Sequence, residues 1–310
     1  MFYLLLSVLS SGAMVLLFKA FERFGADTFR CLIFNYITAA LWCNIMAVDG
    51  PVVATNFWTQ PWFSLTVFLG ILFIGIFYAS ALTAQRIAVS VSIVASKMSV
   101  VITVLWVSWF MGQRITPLVW VGIAGALAAV WLTTRRSENS RAKGTLFWIL
   151  PLIVFLGSGI VDSSLKYLEQ TFFVSGDVNE QLGIIFMIAG ICGILILGVR
   201  RLVGNTFPLA IGINSLKVTA KGMYTWKPIL GGVALGSLNY LSTFTLLKTL
   251  NLGLMKSHEL FPVINLAVVA FTSMMGVILF KEKLNYTNIV GIVLAMLFIG
   301  VIAWGSVGSQ

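Results

Sequence analysis

Apolar residues run through this chain in long blocks divided by short polar connections, and the blocks recur from one end to the other. A helix needs about 20 apolar residues to cross a bilayer. Blocks of that size predict ten spanning segments, at roughly 2–18, 30–48, 63–85, 89–111, 117–134, 145–167, 182–199, 228–247, 253–280 and 286–305. Only one connection is long, Arg201 to Lys227, where Phe207, Leu209, Ile211 and Leu216 mix with Lys217, Lys221 and Lys227. Two readings stay open for it: an amphipathic segment lying on a membrane surface, or a linker. The first segment has no basic residue ahead of it and meets Lys19 rather than a small-residue cleavage site, so a retained helix is expected rather than a secretory signal.

Composition agrees, with 59% hydrophobic and 10% charged residues leaving no stretch suited to a soluble domain. Cys31, Cys43 and Cys192 all fall inside apolar segments, without metal-ligand spacing, and read as small packing residues.

The net charge of +10 could point to nucleic acid, but the basic residues sit in connections rather than on one face of a domain. Numbered from the N-terminus, the odd connections carry fifteen: Lys19, Arg23, Arg30, Arg86, Arg135, Arg136, Arg141, Lys143, Arg200, Arg201, Lys217, Lys221, Lys227, Lys281 and Lys283. The even ones carry four: Arg114, Lys166, Lys248 and Lys256. Basic residues mark cytoplasmic loops, so the odd connections are expected in the cytoplasm and both termini outside.

Two stretches repeat. Phe110-Met111-Gly112-Gln113-Arg114-Ile115, with Gly122 beyond, matches Leu279-Phe280-Lys281-Glu282-Lys283-Leu284, with Gly291 beyond at the same spacing. Leu9-Ser10-Ser11-Gly12 with Lys19 matches Leu156-Gly157-Ser158-Gly159 with Lys166. Segments 4–5 therefore correspond to 9–10, and segment 1 to segment 6. Five segments per half is an odd number, so the second half enters the membrane inverted. The expected fold is an all-α polytopic membrane protein of ten transmembrane helices in two five-helix inverted repeats, 1–144 and 145–310, an architecture of secondary transporters.

These matches, with Pro262 in segment 9 and Gly232, Gly236 and Asn239-Tyr240-Leu241-Ser242 in segment 8, resemble the drug/metabolite transporter superfamily (DMT), EamA type, over essentially the whole chain. Gln113 departs from the acidic residue usual in that turn, and the loop charges reverse the orientation usual among relatives. The resemblance implies a central cavity lined by segments 1, 3, 4, 6, 8 and 9, with segments 5 and 10 peripheral, and a bacterial inner membrane.

Lys97 lies in the middle of segment 4, where a charge costs roughly 2.5–3.5 kcal/mol and usually marks a transport path. At helical spacing it shares a face with Ser90, Val94, Val101, Val104 and Ser108, beside a small stripe of Ser92, Ser96, Ser99 and Thr103. In segment 9, His258, Phe261, Asn265 and Thr272 share a face, with Glu259 and Pro262 alongside. The candidate substrate-binding residues are Lys97, Tyr78, Trp106, Asn239, Tyr240, Phe261 and Asn265. Glu259, Asp162 and His258 are the candidate carriers of a coupling proton or counter-ion. Each has a plainer reading: Lys97 pairing silently with Glu259 or Asp162, His258 at an interface, the aromatics in a lipid-facing belt.

The expected function is secondary transport of a small organic metabolite by alternating access, with Lys97 on an anionic group of the substrate. Alternatives are an exporter of amphipathic cationic drugs, or a transport-inactive sensor or assembly subunit. Gly157-Ser158-Gly159 with His258 resembles a hydrolase pair only superficially, because the repeat aligns Ser158 with Ser11, so no enzyme is expected. No cofactor, metal or nucleic acid is expected; the partners are the bilayer and a small molecule. Gly122, Gly125, Ala126 and Ala129 permit close helix packing and leave homo-oligomer formation open.

Overall fold

The computed structural model describes residues 2–47, 57–111, 116–134, 146–172, 178–203, 226–251 and 257–307. The Gln113–Arg114 turn, the repeat boundary near 144 and nearly all of the long basic connection lie outside the described residues. Those described fold as α-helices: α1 Phe2–Arg23, α2 Thr28–Met46, α3 Phe63–Arg86, α4 Val89–Met98, α5 Val100–Met111, α6 Pro117–Thr134, α7 Leu146–Phe172, α8 Val178–Val203, α9 Lys227–Asn251, α10 Ser257–Phe280 and α11 Tyr286–Val307. A 3-10 turn at Phe57–Thr59 is the one further regular element among them.

The ends of these helices follow local chemistry. α1 stops at Gly25, whose φ of +66° is open to glycine at little cost, and the Gly25 and Ala26 amides bond back to Glu22 and Phe21 carbonyls. Asp27 then caps α2 by accepting from the Arg30 amide at 3.0 Å. Pro117 opens α6, where a missing N–H costs nothing.

Among the described residues eight spans are long and apolar enough to cross a membrane, one of them running through α4 and α5, and the apolar helices at Pro117–Thr133 and Tyr286–Ile302 are shorter. This makes the chain compatible with a polytopic membrane protein and points to a membrane location. Exposed Trp109, Phe110, Trp120, Trp131 and Trp304 suit a lipid surface, since apolar area on this scale is rare on soluble monomers.

The fourth apolar segment forms one span, Val89–Phe110, in keeping with the sequence expectation; at Ser99, between α4 and α5, the backbone keeps helical φ and ψ of −56° and −15° but tightens for one turn. The Ser99 hydroxyl donates to its own chain at Ser96 O, 2.5 Å away. Serine bonding of this kind competes with the helical ladder.

The chain divides into two compact units, each drawing on both sequence halves. Unit 1 holds residues 1–19, 79–163 and 241–310. Its core joins Met98, Val101, Ile123, Ala126, Ala129, Val268, Ala295 and Ile299. Here α6 lies along α11 without side chains between them at Gly122, Gly125 and Gly291, where an added Cβ would collide with Ile302, Phe298 and Thr133. Asn288 secures the pair by donating to Thr133 O at 2.9 Å. Gly12 of α1 faces Phe271 of α10, and Gly159 of α7 faces Ile102 of α5, with equal closeness.

Unit 2 holds residues 20–78 and 164–240. In it Gly232 and Gly236 let α9 approach the α2 backbone at Cys31 O and Asn35 O. Tyr36, Phe73, Phe77 and Phe186 form an aromatic cluster between α2, α3 and α8.

Candidate functional site

The tightened turn at Ser99 lies where Lys97 of α4 and Asp162 of α7 meet. Lys97 is in the last turn of α4, where the negative end of the helix dipole favours a cation. Asp162 of α7 accepts from the Ser99 hydroxyl at 3.0 Å and interacts electrostatically with Lys97, yet no direct ion pair joins the two. Lys97 is half-buried and Asp162 is exposed. Hydroxyls continue the polar track: Ser158 donates to Ser96 Oγ at 3.2 Å, and Ser163 reaches Thr103 Oγ1 at 3.5 Å while bonding to Gly159 O at 2.7 Å. The close approach of Gly159 to Ile102 is what lets α7 bring these groups against α4 and α5.

An opposed but unjoined lysine and aspartate can each take an outside partner. Lys97 offers three N–H donors and Asp162 an acceptor, with serine hydroxyls that turn to suit either. Among the described residues no group of three or more His, Cys, Asp or Glu side chains could hold a metal ion.

The other sequence candidates are placed as follows. Trp106 is half-buried in α5 and stacks on Phe110, ring centroids 5.1 Å apart. Asn265 is half-buried in α10. His258, Glu259 and Phe261 lie on the first turns of α10, and their side chains are outside those described. Tyr78, Asn239 and Tyr240 belong to unit 2. There Tyr78 meets Phe29 edge-on at 5.5 Å, Asn239 donates to Asn35 Oδ1 at 3.3 Å, and Tyr240 stacks on Trp42 while its hydroxyl donates to Asn179 at 3.4 Å. The structure thus brings Lys97 and Asp162 to one place and sets Asn239 and Tyr240 in a polar cluster on α2, α8 and α9.

Three residues were not singled out by the sequence. Asn35, fully buried in α2, could have been found as a lone amide inside an apolar block. Ser99 was visible only as part of a small stripe. Glu282 was visible only as part of the repeated turn, yet its carboxylate reaches α4: Oε1 accepts from the Val89 amide at 2.6 Å and Oε2 from Ser90 Oγ at 3.3 Å.

No family model and no curated protein matches this chain. Its fold is that of known structures, 25 chains of which match. One, described only as a crystal structure of a protein, aligns over 96% of this chain and 96% of its own, with a TM-score of 0.54 and 14% sequence identity. That likeness speaks for the fold alone. Fold and site together describe an all-helical chain compatible with a polytopic membrane protein, with an opposed lysine and aspartate at one apolar span.

Proposed function

We propose that this protein is a secondary transporter of a small organic metabolite, of the drug/metabolite transporter superfamily, EamA type, built from two inverted five-helix repeats and working by alternating access. The observation that carries the reading is Lys97 inside an apolar span, opposite an exposed Asp162 with which it makes no direct ion pair. A charge inside a span marks a substrate path, carriers of this architecture hold their cargo near the membrane midplane, and a substrate carboxylate or phosphate suits the lysine.

The inverted repeat is supported by reciprocal contacts. Gly122 faces Ile302 and Gly291 faces Thr133; the two glycines are the same distance apart in sequence as Thr133 and Ile302. Likewise Gly12 faces Phe271 and Gly159 faces Ile102. Those two glycines are matched by the stretches at Leu9 and Leu156, while Ile102 and Phe271 stand at the offset of the stretches at Phe110 and Leu279. The coupling proton or counter-ion is assigned to Asp162, Glu259 or His258, and both termini to the outer side of a plasma membrane. A second reading, export of amphipathic cations, is favoured by the exposure of Asp162.

The experiment is a thermal-shift screen of the purified protein against anionic, zwitterionic and cationic metabolites, wild type beside Lys97→Ala. A ligand that binds the folded state raises its melting temperature. An anionic hit lost in the variant supports the first reading, a lipophilic cation retained in the variant supports the second, and no stabilising ligand of any class overturns transport.

A further inference from the structure

α4 is held by both of its ends. Its N-cap is Ala88, which has no side chain able to cap, so the first amides of the helix need acceptors from elsewhere. Glu282 supplies them from the α10–α11 turn, 193 residues away in sequence, through the 2.6 Å bond from the Val89 amide and the contact with Ser90. Lys97 stands in the last turn of the same helix, two turns beyond. A shift of the capped end is therefore carried along a short rigid rod to the lysine.

The turn is shaped for this. Lys281 has a φ of +52°, the one non-glycine residue in the left-handed region among those described; such strain persists where the surroundings fix it and tends to sit at working sites. Gly276 leaves the space that the carboxylate fills, since a Cβ there would lie 3.0 Å from Glu282 Oε2. The Glu282 amide reaches back to Gly276 O at 3.4 Å. Lys19 of α1 interacts electrostatically with Glu282 while donating to Gln85 O at 2.6 Å, and Gln85 donates to Phe18 O at 2.6 Å. Thus α1, α3, α4 and α10 meet around one carboxylate.

We propose that Glu282 is a proton-operated latch on α4, seated against the helix when protonated and released toward water when ionised, so that it positions Lys97 according to pH on the side of the membrane that carries Lys19, Arg86 and Lys283. The protonated acid keeps both contacts: one oxygen still accepts from the Val89 amide, and the other donates to Ser90 Oγ. Lys19 from α1 is the charge that acts on it; Arg86 ends α3 three residues before Val89, Lys281 and Lys283 flank it on its own turn, and the sequences of α4, α10 and α11 carry no charge at this end. Burial raises the Glu282 acid above the ordinary carboxylate range, against the hydrogen bonds from Val89 and Ser90 and the charge of Lys19, which lower it. A conformation that raises an acid's pKa binds the proton more tightly, so acid favours the seated latch and rising pH opens it.

This deepens the transport reading, resting on it only for the consequence at Lys97, and its test needs no substrate. The full chain is placed in nanodiscs with Cys31, Cys43 and Cys192 replaced by alanine, and Ala88→Cys, buried when the latch is seated, is labelled with a maleimide from mildly acidic to mildly alkaline buffer. Rates are divided by those of the detergent-unfolded chain to remove the thiol's own titration. With Glu282 the corrected rate should rise with pH, by up to about tenfold for each pK unit separating the two conformations; with Glu282→Gln it should stay low and flat. Glu282→Ala, which removes the carboxylate, should label fast at every pH, and serves if the glutamine variant does not fold. A corrected rate independent of pH in the wild type, or one that rises equally with Glu282→Gln, overturns the latch whatever the protein transports; a switching latch in a protein that moves no substrate overturns only the transport reading.

Discussion

Ser99 Oγ stands 3.0 Å from the Asp162 carboxylate at the tightened turn between α4 and α5. Its one hydrogen is shared between that carboxylate and Ser96 O, so the hydroxyl ties the Ser99 turn to the acid that opposes Lys97. Removing it should cost about 1 kcal/mol, the usual worth of such a bond. We expect Ser99→Ala to fold with a slightly lower melting temperature and to weaken substrate binding; an unchanged affinity with an unchanged melting temperature would show that the bond is idle.

Lys97→Ala should weaken an anionic substrate by at least tenfold, roughly 1.4 kcal/mol, and leave the fold intact because no direct ion pair is lost. Reconstituted uptake gives the first quantity and a melting curve the second. Lys97→Arg should recover part of the uptake, since charge is kept while the geometry of the donors changes.

Asp162→Asn separates the two readings of substrate charge. If the carboxylate serves a cationic substrate or a coupling proton, uptake becomes insensitive to pH or is lost. Should the variant transport with the wild-type pH profile, Asp162 is a positioning group for Ser99 and no more.

Glycines in this chain should divide by what they face. Gly12→Val drives a side chain into Phe271 and Thr272, an overpacking that costs about 1–3 kcal/mol. A Cβ added at Gly75 would meet nothing within 4 Å, so Gly75→Ala should be neutral or gain up to about 1 kcal/mol of helix propensity. Melting temperatures of the two variants, measured in the same lipid, should move in opposite directions or by clearly different amounts.

Orientation rests on fifteen basic residues against four. Both termini should be reached by an impermeant label added to intact spheroplasts, and cysteines placed beside Lys283 should not. The reverse pattern would show that loop charge does not set the topology here.

The sequence by itself determined the helical class and the segmentation, because a bilayer demands long apolar runs and each run is legible without knowing its neighbours. It also marked Lys97 and Asp162, since a charge inside such a run is costly wherever the run packs. What it left open was pairing. Lys97 had two acidic candidates, Glu259 and Asp162; the closeness of α7 to α4 and α5, permitted by Gly159, brings Asp162 to it, while the Glu259 side chain lies outside the described residues. The role of Ser99 was hidden for the same reason: a serine in an apolar helix is ordinary until a carboxylate 63 residues away stands within reach of it. Glu282 was read as a turn residue, because its partners Val89 and Ser90 are remote in sequence and backbone amides leave no signature in composition. Local physics sets which residues enter the membrane; contacts between distant segments, which depend on how closely the helices approach, set which of those residues meet.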